Sequence, residues 1–203
     1  MIVFVKCETS DLLKKQLPPE DPGQPWPTVI AADLCEDDGK TFDFFQHHIR
    51  ANNRKIRPGA TEANGLSTRI ADKRGVAEIL ALGDVSGYAA QALTIVGYNY
   101  REFDSIVLTG ALVRLQKNPR ILERAGLIKL SLIQIAAQAC KIPTVRDDQQ
   151  YKWPTLDEAC KILLDEEPPG DCGWLKTWAD CQRIKRLYFN LKGRGVIETM
   201  EAA

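Results

Sequence analysis

The order of elements along the sequence predicts a mixed α/β protein in which helices pack on a single sheet. Three strand-like runs come first, residues 1–7, 28–35 and 40–49. A fourth, 94–98, follows a helical stretch and precedes a mainly helical remainder. Size and composition agree with this class. At 203 residues, 44% apolar and 27% charged, the chain is long enough to bury a full core, and residues 1–203 are read as one domain.

Residues 1–7 form the short apolar run expected of a buried strand. The segment 17–27 carries five prolines, Pro18, Pro19, Pro22, Pro25 and Pro27, which exclude regular structure there. Runs 28–35 and 40–49 are joined by Glu36-Asp37-Asp38-Gly39. Asp-Gly is a strong hairpin signal, so these strands are expected to pair antiparallel. Pro58 introduces a short helix over 60–64 that Gly65 stops. Residues 75–92 read as mostly helical, weakened by Gly83 and Gly87, with 94–98 the fourth strand and 101–115 a helix. Residues 130–140 are apolar all round, the pattern of a buried helix. Thr155-Leu156-Asp157-Glu158 is a capping box opening a helix to Leu164. Pro168-Pro169-Gly170 then breaks the chain before a last helix over 176–191.

Lys plus Arg equals Asp plus Glu, 27 each, which excludes a global positive field for gathering nucleic acid and leaves only local patches. The six cysteines show no C-x-x-C spacing and the two histidines are the neighbours His47 and His48, so a zinc site is not expected and a reducing compartment is. No apolar run reaches membrane-spanning length and no signal pattern opens the chain. The expected protein is soluble and cytoplasmic, encoded by a cell, a phage or a mobile element, with no membrane partner. Arg183, Lys185, Arg186, Lys192 and Arg194 read as a solvated helix face, and Trp153, Trp174 and Trp178 as packing residues. His47 and His48 read as strand surface with one inward ring.

Strand alternation puts Phe4, Lys6 and Glu8 on one face of the first strand and Val3, Val5 and Cys7 on the other. In the last helix Asp180, Ile184, Leu187, Tyr188 and Leu191 form one stripe. A carboxylate on an inward stripe is costly unless something pairs with it, which makes Asp180 a site candidate. Asp104 opens a helical pattern after the apolar run 93–96, a position the helix dipole favours for an acid.

Three segments together carry a resemblance. Gly97-Tyr98-Asn99 with Phe103-Asp104 resembles the second motif of the DnaQ-like (DEDD, histidine-branch DEDDh) 3′–5′ exonucleases of the RNase H-like superfamily. Val3-Phe4-Val5-Lys6-Cys7-Glu8-Thr9 resembles the first motif, with Glu8 and Thr9 matching its Glu and Thr and Lys6 in place of its metal-bridging Asp. Leu175-Lys176-Thr177-Trp178-Ala179-Asp180 resembles the third, with Asp180 kept and Leu175 in place of the general-base His; the tyrosine branch would put its Tyr at Lys176. Pro58, Ala60, Asn64, Gly65 and Leu66 resemble the segment that helps hold a substrate's 3′ end. Pro22, Gln24 and Pro25 resemble the loop before the second strand.

The resemblance runs over roughly residues 1–195 and implies an RNase H-like/DnaQ-like exonuclease fold. It implies Glu8, Asp104 and Asp180 as metal-ligand positions, weakened or lost, and Thr9, Asn64 and Asn99 as substrate-binding positions, although Asn64 alone reads as a helix stop. With Lys6 and Leu175 both substituted, attack by a metal-activated water loses two supports. The ammonium of Lys6 is expected among Glu8, Asp104 and Asp180, where it takes a divalent cation's place. Three functions follow: a degenerate exonuclease kept as a nucleic-acid-binding or protein-interaction module, which is the reading taken; an active 3′–5′ exonuclease on DNA or RNA using Mg2+ or Mn2+ in a rearranged site; and an inhibitor or decoy that docks on a protein. The first and third need no cofactor, and the partner is single-stranded nucleic acid or a protein.

Overall fold

The structure, a computed structural model, describes residues 1–146, 148–170 and 172–197, and of Trp174 it describes the backbone alone. Five strands form one mixed sheet: β1 (Ile2–Thr9), β2 (Pro27–Cys35), β3 (Thr41–His48), β4 (Thr94–Gly97) and β5 (Ile128–Ser131), in the order β3-β2-β1-β4-β5. β1 is central. It pairs antiparallel with β2, from Ile2 opposite Cys35 to Glu8 opposite Val29, and parallel with β4. The β2–β3 hairpin is antiparallel, and Gly39 takes the left-handed conformation (φ 91°) its turn requires.

Seven helices flank the sheet among the described residues: α1 (Pro58–Asn64), α2 (Thr68–Arg74), α3 (Glu78–Gln91), α4 (Ser105–Arg114), α5 (Leu132–Cys140), α6 (Leu156–Leu164) and α7 (Lys176–Gly193). The alternation of β1 divides the core as its sequence predicts. Val3, Val5 and Cys7 pack with α3 and α4 on one side; Ile2 and Phe4 pack with α5, α6 and α7 on the other. Gly65 ends α1 in a left-handed cap, and Thr155 and Glu158 form the expected capping box. His48 is buried, whereas His47 reaches Asp84 at 2.7 Å.

Two expectations need correction, and one helix carried no expectation. Residues 130–140 do not form one helix. Leu130 and Ser131 end β5, an edge strand held by the Leu93 carbonyl and β4, and α5 starts at Leu132. α5 is amphipathic, burying Leu132, Ile135, Ala136 and Ala137 and exposing Gln134 and Gln138. α2, for which the sequence carries no strong signal, is seven residues long, and its Ser67 hydroxyl caps Ile70 N–H. The basic run of α7 is not a solvated face, because Arg183 and Lys185 are both buried. Lys185 Nζ lies 3.1 Å from Asp33 Oδ2 and donates to Thr41 Oγ1 at 2.7 Å, while Gln182 Nε2 donates to Asp33 at 2.7 Å. Asp33 is wholly buried on β2, so this network fixes α7 on the sheet by satisfying a charge that would otherwise be stranded.

Gly110 lets α4 meet the proline-rich segment. A Cβ built there would lie 2.0 Å from the Pro19 carbonyl oxygen, which Arg114 Nη1 also binds. Gly110→Ala is expected to cost ~2 kcal/mol through overpacking, despite alanine's better helix propensity. Urea unfolding checks this; an unchanged or raised midpoint would show that the segment gives way freely.

Candidate functional site

The C-terminal end of β1, the turn before α4 and the first turns of α7 enclose a cavity of about 290 Å3 lined by Lys6, Glu8, Asn99, Asp104, Lys176 and Asp180, with Phe103 and Asp157 among the remaining walls. β1 delivers Lys6 and Glu8 to one side because they are two residues apart. Its register on β2 slips at Glu8–Thr9, a bulge that re-aims the strand end beside the cavity. Asp104 closes a π-helical turn, Tyr100–Asp104, and its Oδ1 accepts from Cys7 N–H of β1 at 2.8 Å. Asp180 arrives from α7 on the buried stripe seen in the sequence. Glu8, Asp104 and Asp180 therefore line one cleft, and Lys6 lines it with them.

Lys6 Nζ lies 2.8 Å from Glu8 Oε1, donates to Cys7 O at 2.9 Å and stands 5.7 Å from the Phe103 ring centre. Burial works to lower its pKa, but Glu8, Asp104 and Asp180 outweigh that and hold it above the usual lysine value. Asp104, only 2% exposed, is pushed up to about 6. Burial is the main cause; Lys6 and the Cys7 N–H pull the other way. Asp180 is likewise raised by burial, against the opposing pull of Lys176, Lys6 and Arg183. It lies 3.3 Å from Arg183 Nη1 and 3.8 Å from Lys176 Nζ, and Arg183 Nη1 also meets Asp157 Oδ1 at 2.5 Å.

Of the other expected positions, Leu175 is not brought in. It is 44% exposed in a short 3-10 turn ahead of α7 and is not part of the cleft lining, which Lys176 joins instead. Neither histidine lines the cleft. Asn99 lines it, with its Oδ1 buried and without a hydrogen-bond partner among the described residues. Thr9 and Asn64 line an adjoining cavity of about 380 Å3 that shares Glu8 and Phe103 with the first. Asn64 is occupied locally, its Oδ1 accepting from Leu66 N–H at 2.9 Å, which agrees with a helix-stop role. Thr9 Oγ1 donates to Asp11 O at 2.7 Å.

Sequence reasoning missed Asp157 and Arg183. Asp157 shows in the sequence only as part of a capping box. Nothing local tells that the start of α6 lies over α7. Arg183 stands three residues after Asp180, a spacing that puts both on one helix face, and that was the available signal.

Among the described residues no group of three or more His, Cys, Asp or Glu side chains is arranged to hold a metal. The donor set argues the same way, since an ammonium sits against Glu8 and two further cations flank Asp180. The residues as placed do not fit a pair of divalent ions, which need the carboxylates free to converge.

No family model matches the chain, and no curated protein matches it. Solved structures do. E. coli exonuclease I in complex with a dT13 oligonucleotide superposes with a TM-score of 0.71 over 94% of this chain and 40% of that one, at 17% identity. The fold is that of the matched part of exonuclease I. A zinc-bound form of the E. coli exonuclease I–single-stranded DNA complex matches over 99% of this chain and 42% of that one (TM-score 0.74, 16% identity). The dA16 complex of the same enzyme matches at 0.72 and 18% identity, over 95% of this chain and 41% of that one. The chain thus spans about two-fifths of the length of the exonuclease I chains it matches. At this identity the likeness establishes the fold alone and leaves the chemistry to the residues in the cleft. No helix among the described residues is long and apolar enough to cross a membrane.

Proposed function

We propose that this exonuclease-fold chain holds the 3′ end of a single-stranded nucleic acid in the central cleft without cutting it, Lys6 standing where a metal-dependent exonuclease carries divalent cations. The observation that carries this is the Lys6 ammonium, 2.8 Å from Glu8 and under the charge of Asp104 and Asp180. A fixed monovalent charge offsets the repulsion of three acids but supplies no bound water, so no nucleophile forms there. The exposed Leu175 supplies no imidazole at the position where the histidine branch carries its general base. That solved neighbours hold single-stranded oligonucleotides supports the choice of ligand.

A second reading, docking on a protein, has one observation in its favour. Phe42 and Phe44 are exposed on the edge strand β3, and Phe44 stacks 4.9 Å from the half-buried Trp178.

Labelled single-stranded DNA and RNA, incubated with Mg2+ or Mn2+, should be bound and left intact. Metal-dependent 3′ shortening that Asp104→Ala abolishes would establish an active enzyme and overturn the reading. Absence of binding to either strand would shift the case to a protein partner. Lys6→Asp combined with Leu175→His should gain weak metal-dependent cleavage, and less than a restored site would give, because position 175 faces solvent.

A further inference from the structure

The central cleft cannot supply the electrostatic attraction a polynucleotide needs. Lys6 and Lys176 line it against Glu8, Asp104, Asp157 and Asp180, an excess of carboxylates over cations. Nor does α7 help, since Arg183, Lys185 and Arg186 are engaged with Asp157, Asp33 and Glu166. Affinity for phosphates must come from another surface.

One such surface adjoins the cleft. The cavity beside Glu8 shares the walls Asp11 and Arg57 with a third, of about 240 Å3, which has the opposite charge balance. Lys14, Arg54, Lys55 and Arg57 line it, with Asp11 the one acid. Arg57 lies 3.5 Å from Asp11, and Arg54 is paired with Glu78 at 2.7 Å. Lys14 and Lys55 are exposed and have no salt-bridge partner among the described residues. Trp26 lines the same cavity and is 6% exposed; its indole Nε1–H is buried with no acceptor among the described residues, and the Arg54 guanidinium lies 4.1 Å over its ring.

The walls are tied together. Arg57 N–H donates to Ser10 O at 2.9 Å, Ser10 N–H to Trp26 O at 3.0 Å, and the buried Gln24 amide clamps Lys14, accepting from its N–H at 3.1 Å and donating to its carbonyl at 2.9 Å. A preset cavity with two unpaired ammonium groups is suited to one anionic group held by charge and hydrogen bonds.

We propose that this cavity is a phosphate subsite that takes a backbone phosphate of the strand whose 3′ end enters the central cleft. The proposal deepens the reading of the cleft as a nucleic-acid site and rests on it for the identity of the strand, while the phosphate chemistry rests on Lys14, Lys55 and Trp26 alone. The strand would leave the cleft past Phe103 and Thr9 and cross Arg57 to reach the basic cavity.

Two measurements on the whole chain separate the two claims. In the first, fluorescence anisotropy compares a thymidylate trimer with a dodecamer on wild type and on the charge-reversed Lys14→Glu/Lys55→Glu variant. The variant should lower the dodecamer-to-trimer affinity ratio about tenfold and reduce the salt slope of dodecamer binding by about 0.7 for each phosphate no longer neutralised. An unchanged ratio and slope would overturn the subsite. In the second, inorganic phosphate is titrated while the Trp26 indole N–H resonance, assigned with Trp26→Phe, is followed by NMR. A saturable shift that the double variant loses supports the subsite even where no oligonucleotide binds, an outcome that would sink the nucleic-acid reading instead. Absence of any shift together with absence of oligonucleotide binding would overturn both. Both lysines are exposed, and circular dichroism of the double variant confirms that its fold is intact.

Discussion

Replacing Lys6 by methionine is expected to lower the stability of the protein by ~3 kcal/mol at pH 8 and by much less at pH 5. The methionine keeps most of the packing volume, so the loss is electrostatic. Glu8, Asp104 and Asp180 would be left facing one cleft without the ammonium that now meets Glu8 at 2.8 Å. The pH dependence comes from the acids. Lys6 has a raised folded pKa, so its own contribution is complete below the ordinary lysine value and is lost only as pH rises through the higher folded one; it stays charged across pH 5–8. Asp104 titrates near 6 and Asp180 is also raised, and both take up protons on acidification, which removes the repulsion that the variant suffers. Urea unfolding at the two pH values measures the difference. A small loss, equal at both, would mean that Lys6 and Glu8 are only a surface pair of the kind worth little.

Asp104→Asn is expected to act in the opposite direction, raising stability by ~2 kcal/mol at pH 8 and leaving it unchanged near pH 4. The folded pKa of Asp104, about 6, lies above its ordinary value of 3.8. Between these values the folded state binds the extra proton, so stability falls as pH rises through this window, and above it the buried carboxylate is a standing cost. Asparagine removes the charge and keeps an oxygen that accepts from Cys7 N–H, the bond now 2.8 Å long. The stability advantage of the variant over the wild type should grow as pH rises from 4 to 8. Destabilisation by Asp104→Asn at pH 8 would show that the carboxylate is net favourable and that its partnership with Lys6 outweighs burial.

Most of the sheet is legible from sequence because its signals are local. Alternation along β1 sorts Lys6 and Glu8 from Val5 and Cys7, and Asp38-Gly39 fixes the β2–β3 turn. Asp180 is also legible, since its stripe with Ile184, Leu187 and Leu191 is periodic and its burial follows from the period. β5 is different. Four residues, Ile128–Ser131, have no period of their own and become a strand only because β4 offers an edge. The basic residues of α7 mislead for a related reason. Lys185 reads as solvent-facing until Asp33, 152 residues away in the chain, is seen buried beneath it. In the cleft, the composition is readable and the convergence of Lys6 on the acids follows from the resemblance. The neutralisation of Asp180 by Lys176 and Arg183, and the outward position of Leu175, depend on how α7 enters the sheet, which no short segment encodes.

In the proposed site a lysine ammonium fills the position of a divalent cation. Isothermal titration of Mn2+ into the purified chain tests it most directly. The wild type should give heats of dilution alone and Lys6→Asp a saturable isotherm, since that variant removes the ammonium and adds a fifth carboxylate to Glu8, Asp104, Asp157 and Asp180 in the cleft lining. Tight binding of two Mn2+ ions per wild-type chain would contradict it.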